Sequence, residues 1–140
     1  MNLQEKDIKI IEELKEDSRS SIRDIAKKTK LRPSTVHQRM QKLSSDGIIE
    51  KYTVKLNNEA MGESFIVFVL VKTHKHIEEN VFQDTHIKDI FGVTGEFDLM
   101  LKCKFKDIVE FNDFIIKFRK NPAVNSTLTL VSTLSIKEEI

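Results

Sequence analysis

The chain has only one cysteine, four glycines and two prolines among its 140 residues, and these scarcities exclude several classes of protein. The lone Cys103 cannot form a disulfide within the chain, which fits a reducing cytosol. No apolar run approaches the ~20 residues that a membrane-spanning helix needs. The first residues, MNLQEKDIKII, carry acids early and lack an apolar block, so we expect no signal peptide and a cytoplasmic protein.

The motifs of common enzymes are also missing. The sequence contains no G-x-S-x-G, no phosphate-cradling glycine loop and no plausible Cys–His pair, so we expect no catalysis and no cofactor. No Cys or carboxylate cluster follows the histidines at metal-ligand spacing, so we expect no metal. Cys103 lies in the strand-like run LMLKCKF, where a small strand residue is a better interpretation than a reactive thiol.

What the chain does have is a short polar helix at residues 31–43, LRPSTVHQRMQKL. Pro33 suits the first turn of a helix, because its missing N–H removes nothing that the helix needs. Val36, Met40 and Leu43 then fall at i, i+4 and i+7, which predicts one narrow apolar stripe. The other side chains include no carboxylate and are rich in groups that hydrogen-bond to base edges and phosphates. They are Ser34, Thr35, His37, Gln38, Gln41 and Lys42.

The net charge of +1 hides an asymmetry between the two halves. Residues 1–56 hold 13 Lys and Arg against 9 Asp and Glu, whereas residues 57–140 hold 10 against 13. Residues 19–42 hold eight basic side chains and one acid, Asp24. A basic block can be merely a solvated face, but this one coincides with the carboxylate-free helix and favours attraction to phosphates.

The first 56 residues predict three helices and a small wing. The first helix covers about residues 3–16, and Ser20 or Ser21 caps a second helix with Asp24 near its third position. A turn of about four residues leads into the third helix, which stops at Gly47, so the last two helices form a helix-turn-helix. Residues 48–49 and 52–56 predict a short strand pair, and residues 57–64 a connector that holds the domain boundary.

Residues 65–140 predict a β-α-β-β-α-β order, the split unit of a ferredoxin-like sandwich, so the whole chain is α+β. Four strands are predicted at residues 65–72, 87–93, 97–105 and 127–136, and two helices at residues 77–84 and 107–120. The near-continuous apolarity of the first strand suggests burial on both faces, partly against another subunit. Thr94, Gly95 and Glu96 form a hairpin signal between the second and third strands.

In this order the sequence resembles the Lrp/AsnC group, the leucine-responsive and asparagine-operon regulators. The resemblance rests on IAKKTKLRPSTVHQRMQKLSSDGIIEKY, a connector ending in AMG, and VTGEFDLMLK within the second domain, and it covers nearly the whole chain. It implies a transcription regulator that binds pseudo-palindromic double-stranded DNA as a homodimer. It also implies further assembly into octamers in many members and, in many, an amino-acid effector.

The resemblance also assigns residues to the two sites. Ser34, Thr35, His37, Gln38 and Gln41 match contacts to base edges or nearby groups, and Arg39 and Lys42 match phosphate partners. Ser21, Arg32 and Pro33 complete the expected DNA interface. The effector site of the family maps onto Thr94, Gly95, Glu96, Asp98, Thr127 and Thr129.

One position departs from the family, and two interpretations stay open. Members commonly have Ser or Asp before the proline as a helix cap, whereas this chain has Arg32, at a cost of roughly 1 kcal/mol of helix stability. Arg32 can meet a phosphate there instead.

The G-E-F-D hairpin is either a plain glycine turn or an element with a ligand or assembly role. The alternative for the whole chain is a winged helix that binds protein or RNA, with the second domain used only to oligomerise.

Overall fold

The computed structural model describes residues 2–140. The chain divides into two compact units, one ending at Val54 and the other running from Lys55 to Ile140. We describe each unit by itself.

The first unit is built from three helices: α1 (Glu5–Glu16), α2 (Ile22–Thr29) and α3 (Pro33–Ser45). Each helix turns one apolar face inward, since 3.6-residue periodicity brings positions three and four apart together. The predicted stripe of α3 is confirmed, with Val36 and Leu43 buried and Met40 half-buried. Val36 meets the buried side chains of the other two helices, Ile10, Leu14, Ile25 and Ala26.

Local signals begin and end these helices as predicted. The Ser21 hydroxyl accepts a hydrogen bond from the Asp24 amide at 3.0 Å and so caps α2. Lys30 ends α2 in the left-handed conformation, with φ 62°, and the Leu31 amide donates to the Ala26 carbonyl at 3.1 Å. Gly47 follows α3 with φ 73°.

The strand pair predicted at residues 48–49 and 52–56 is not formed in this structure, because residues 46–56 contain no strand. The amides of Ile48 and Ile49 both donate to the Leu43 carbonyl, at 2.9 and 3.0 Å, so they close α3 instead of starting a strand pair. Tyr52, Val54 and Leu56 are exposed. Their strand-like alternation has no neighbouring strand with which to form a ladder.

The second unit is one antiparallel sheet of four strands, β1 (Phe65–Thr73), β2 (Ile87–Gly92), β3 (Leu99–Phe105) and β4 (Val124–Val131). The strand order is β2-β3-β1-β4, so β1 is central. Helix α4 (Ile108–Arg119) connects β3 to β4, and Asp107 caps it by accepting from the Glu110 amide at 2.9 Å. The α+β architecture is therefore confirmed.

Most elements of this unit lie within two residues of their predicted bounds, and two differ more. The helix predicted at residues 77–84 is only a five-residue 3₁₀ helix, Glu79–Gln83, because Ile77 packs into the core ahead of it and leaves too short a stripe. The strand predicted at residues 127–136 begins earlier, at Val124, and ends at Val131. Because β4 runs antiparallel to β1, it ends beside the start of β1 at Phe65. The last hydrogen bond between the two strands is donated by the Ser132 amide to the Ile66 carbonyl.

The sheet has one covered face and one open face. Val67, Val69 and Val71 of β1 lie on the covered face with Cys103, and α4 packs over them through Ile115 and Phe118. Burial raises the pKa of the Cys103 thiol to about 12. Cys103 is therefore a small buried strand residue, as predicted, and not a reactive thiol. The open face is formed by the alternate residues Ile66, Phe68, Leu70, Met100, Lys102, Lys104, Leu128 and Leu130.

Replacing Lys30 by Gly should stabilise the first unit by about 0.5–1 kcal/mol, because a Cβ is unfavourable in the left-handed conformation. Urea unfolding followed by circular dichroism measures the change. The matched control is Lys28→Gly, inside the last turn of α2, which should destabilise by about 1 kcal/mol. Equal effects at the two positions would contradict the assigned role of Lys30.

Candidate functional site

The solvent-facing side of α3 carries polar side chains that the rest of the chain does not use. Ser34, His37, Gln38 and Gln41 are exposed and Thr35 is half-buried. None of these five side chains has a hydrogen-bond or ion-pair partner within residues 2–140. Lys42 is exposed and lies 3.0 Å from a carboxylate oxygen of Asp46, one turn later. The helix therefore presents amide, hydroxyl and imidazole groups with their hydrogen-bonding capacity free.

The first turn of α3 has no side-chain cap. Arg32 precedes the helix in an extended conformation and no side chain caps the first turn, as predicted from the missing serine. Pro33 follows at the first helical position. The backbone N–H groups of the first turn thus point outward with the positive end of the helix dipole. An anion that approaches this end would meet both those N–H groups and the exposed Arg32.

Arg39, expected at a phosphate, forms an ion pair within the first unit. Its Nε donates to Oδ1 of Asp7 at 2.6 Å and its Nη2 donates to Oδ2 at 2.7 Å, a two-pronged ion pair between α3 and α1. The Asp7 side chain is 0% exposed and that of Arg39 18%. Removing Arg39 from this pair would leave a buried carboxylate without a partner, so we revise its role to positioning α3.

Asp7 was missed in the sequence, although a signal was present. It lies three residues before Ile10 and seven before Leu14, so an acid occupies the inward stripe of α1. The backbone N–H of Gln4 donates to Oδ2 of Asp7 at 2.8 Å, as part of a capping box. The hydrogen bond from Arg39 holds the pKa of Asp7 below its ordinary value of 3.8, and this outweighs the opposing effect of burial.

Basic side chains are exposed on α2 and in the turn before α3. Arg23, Lys27, Lys28, Lys30 and Arg32 are all exposed, and they come from α2 and the turn before α3. Lys28 lies 3.6 Å from a carboxylate oxygen of Glu13, a surface pair that water and salt screen. Ser21, which was assigned to the same interface, already uses its hydroxyl oxygen as the cap of α2. Its hydroxyl proton is left free to donate.

The residues expected at an effector site fall into two groups at one end of the sheet. Thr94, Gly95, Glu96 and Asp98 lie in the turn between β2 and β3, whereas Thr127 and Thr129 lie on β4. Both groups flank the last residues of β1, since the Asp98 amide donates to the Val71 carbonyl at 2.8 Å and Val71 pairs with Thr127. Two strand spacings separate them, about 10 Å.

Asp98 is engaged within the chain. Its Oδ2 accepts from the Thr73 amide at 2.7 Å and from the Thr73 hydroxyl at 3.0 Å, which ties the β2–β3 turn to the end of β1. The hydrogen bond from the Thr73 amide lowers the pKa of Asp98, so its carboxylate is ionised at neutral pH. Gly95, with φ 103°, makes the turn possible.

The two threonines of β4 differ in their partners. Nε of Arg119 donates to the Thr127 hydroxyl at 3.1 Å. The Thr129 hydroxyl oxygen is buried and has no partner within residues 2–140. Both side chains point to the covered face, because their β1 partners are Val71 and Val69. A buried hydroxyl without a partner carries a desolvation cost, so it invites a ligand group that can satisfy it.

No group of three or more His, Cys, Asp or Glu side chains could hold a metal ion in the part of the chain that the structure describes. His86 has a carboxylate on each side, Asp84 at Nδ1 and Glu110 at Nε2, both at 2.7 Å. Because these groups bind opposite nitrogens, they do not converge on one point. No helix within residues 2–140 is long and apolar enough to cross a membrane.

Comparison with known protein families gives two matches. Residues 3–50 match a family described as winged helix-turn-helix DNA-binding. Residues 66–140 match a family described as the Lrp/AsnC ligand binding domain. The first match covers the three helices, and the second covers the sheet from Ile66 onward together with α4.

Similar proteins match along nearly their whole length. The HTH-type transcriptional regulator FL11 of Pyrococcus horikoshii is 34% identical, over 97% of this chain and 93% of its own. B. subtilis LrpC is 31% identical, with a TM-score of 0.87 over 98% of this chain and 99% of its own. The transcriptional regulator NMB0573 of Neisseria meningitidis, solved in complex with L-Met, has a TM-score of 0.91 at 24% identity, over 98% and 94%.

Replacing Asp7 by Asn should lower the free energy of unfolding of the first unit by about 2–3 kcal/mol at pH 7, because Arg39 then lacks its charged partner. Since the pKa of Asp7 is lowered on folding, its contribution is present above about pH 4 and lost as the pH falls further. The gap between wild type and variant should therefore close in acid. Urea unfolding at several pH values measures it.

The control for this comparison is Asp24→Asn, an exposed acid in the first turn of α2. It should cost about 0.5 kcal/mol through the helix dipole alone. A loss at Asp7 no larger than this, or one unchanged by acid, would contradict the positioning role of the pair.

Proposed function

Because the chain belongs to the Lrp/AsnC family of DNA-binding transcriptional regulators, we propose that the exposed face of α3 reads base edges in the major groove. The observation that supports this is a helix face with free amide, hydroxyl and imidazole groups and no carboxylate among them. Gln38 and Gln41 can each bind an adenine edge with two hydrogen bonds. His37, Ser34 and Thr35 contact bases or groups nearby.

Phosphate contacts align the helix without reading sequence. We assign them to Lys42, to the first turn of α3 with Arg32 and Pro33, and to the hydroxyl of Ser21. Arg39 is left out of this set, because its guanidinium holds Asp7. Arg23, Lys27, Lys28 and Lys30 supply longer-range attraction, which salt weakens.

We propose that the protein acts as a homodimer, whose copies meet through the open face of the sheet. This face carries half-buried Phe68, Leu70 and Met100 and exposed Leu128 and Leu130, a surface that water disfavours. A two-fold axis lets such a face cover itself. Two copies of α3 then read half-sites about one helical turn apart, or a multiple of it. Dimers assembling into octamers would be a further step.

We propose an amino acid as the effector, bound where the β2–β3 turn and β4 flank the end of β1. The matched family is described as a ligand binding domain, and the neisserial regulator was solved with L-Met. The unsatisfied Thr129 hydroxyl, beside Thr127 and Arg119, offers polar groups. We expect Thr94, Gly95 and Glu96 to contact the ligand, and Asp98 to hold their turn in place.

We propose that the protein binds DNA and does not catalyse a reaction, and that it acts in the cytoplasm. The alternative, a winged helix that binds protein or RNA, predicts no preference among duplex sequences. The first experiment below separates the two.

Replacing Gln38 and Gln41 by Ala should relax sequence preference, at about 1–3 kcal/mol for each lost two-bond contact. Affinity for non-specific duplex should change little, because the phosphate contacts stay. Selection of bound sites from a random DNA pool, followed by competition binding, measures both. The control is Gln83→Ala in the 3₁₀ helix. If the double variant keeps the wild-type selectivity, α3 does not read the sequence.

Replacing Thr129 by Val removes the unsatisfied hydroxyl at nearly constant shape. Without ligand the second unit should be more stable by roughly 1 kcal/mol, whereas the heat of effector binding should fall or vanish. Thermal unfolding and isothermal titration with amino acids test the two effects. Thr133→Val, beyond the end of β4, is the control. Full effector heat from Thr129→Val would rule out the contact, and no heat from wild type would leave this unit as an assembly device.

A further inference from the structure

Two lysines lie in the open face of the sheet, where the proposed dimer needs apolar contact. Lys102 and Lys104 are on β3, opposite Phe68 and Ile66 of β1. Their side chains are only 17% and 12% exposed in the single chain. The centre of a protein interface is normally depleted of charge, and of lysine above all. A second copy that covers this face would bury both ammonium groups further.

One carboxylate from the C-terminal tail pairs with both lysines. Oε2 of Glu138 lies 2.5 Å from Nζ of Lys102, and Oε1 lies 3.0 Å from Nζ of Lys104. The Glu138 side chain is 11% exposed. Asp89 is the other acid near Lys102, but it is 4.0 Å away and more exposed. Hydrogen bonds from Lys102 and Asn58 lower the pKa of Glu138 to about 2, so it stays charged at neutral pH.

Asn58 closes this cluster into a ring of hydrogen bonds. Its Nδ2 donates to Oε1 of Glu138 at 3.0 Å, and its Oδ1 accepts from Nζ of Lys104 at 2.7 Å. The ring ties three distant parts of the chain together: the turn before β1, strand β3 and the tail. Every charged group in it has its partner inside one chain, so a second copy need not supply one.

We propose that Glu138 makes the open face fit for burial against a second copy of the chain, by pairing with Lys102 and Lys104 in advance, so that Glu138 and Asp89 together balance the two positive charges. This inference rests on the proposed homodimer. Its physical basis is that burying an ammonium group without a charged partner carries a large desolvation cost, which a partner already in place reduces. Glu138 is thus a determinant of assembly that lies outside both the DNA-binding and the effector residues.

The rest of the tail supports a second copy as the occupant. Leu134, Ile136 and Ile140 are among the most exposed large apolar residues, Ile136 at 90%. Glu138 lies between the last two and anchors the tail on the sheet. The tail side chains and the open face also line one shared cavity of about 320 Å³, and Ile66 and Phe68 are among its lining residues. Apolar groups held at the rim of the proposed interface extend the surface that a partner covers.

The test is the monomer–dimer equilibrium of full-length protein, measured by sedimentation over a range of concentrations. Glu138→Gln should raise the dimer dissociation constant by roughly 30-fold or more. Glu139→Gln is the matched control, one residue along, since Glu139 is exposed and pairs only with Lys137 at 3.6 Å. It should leave the constant unchanged.

A second variant keeps the test decisive if Glu138→Gln folds poorly. In the triple variant Lys102→Met, Lys104→Met, Glu138→Gln the charges to be neutralised are gone, so dimerisation should return. A triple variant that folds but stays monomeric would overturn charge pairing as the role of Glu138. So would a single variant that dimerises like wild type. A monomeric wild type, in contrast, would overturn the proposed dimer itself.

Discussion

The first unit depends on one interaction, the ion pair between Asp7 and Arg39. Helices of 8 to 13 residues are marginal on their own, and a narrow apolar stripe leaves α3 some freedom to roll against its neighbours. A fully buried carboxylate removes that freedom, because only one rotation of α3 brings the guanidinium to it with both hydrogen bonds formed. The direction in which Gln38 and Gln41 point is therefore fixed inside the protein.

The second unit also holds charged side chains away from water, on the open face of its sheet. Charged groups with little access to water must be compensated, and both units do this with partners distant in sequence. Arg39 reaches back to α1, and Glu138 reaches across to β3 and to the turn before β1. In each case a polar pair specifies geometry that apolar packing alone leaves loose.

The parts of this structure that local chemistry decides were predictable from sequence. The stripe of α3, the Ser21 cap with Asp24 and the bare start at Arg32 all depend on neighbours within a few residues. The order of strands and helices followed from periodicity. Strand ends did not, because β4 ends where β1 begins and not where its own pattern stops. The predicted strand pair at residues 48–49 and 52–56 is absent for the same reason, since a strand needs a partner strand that the pattern of residues 52–56 does not supply.

The site was predictable as a surface but not in every role. Exposure of the polar face of α3 followed from the helical period, whereas the partner of Arg39 lies 32 residues away and no local pattern names it. Asp98 was expected at a ligand site, and the fold shows in addition that its carboxylate accepts a hydrogen bond from the Thr73 amide. Asp98 and Thr73 come together because β1 and β3 are adjacent in the sheet, although these strands are not consecutive in the chain. No local sequence pattern could therefore predict the contact.

The free side chains of α3 have a consequence for how such a regulator diverges. Ser34, His37, Gln38 and Gln41 have no partner within the described residues, so replacing them costs folding little. Arg39 lies in the same helix but forms an ion pair with the buried Asp7. On the proposed reading role, mutation at these outer positions can change which operator sequence is bound, while the ion pair between Arg39 and Asp7 keeps α3 in place. After a gene duplication, two copies can acquire separate targets in single steps, without passing through unstable intermediates.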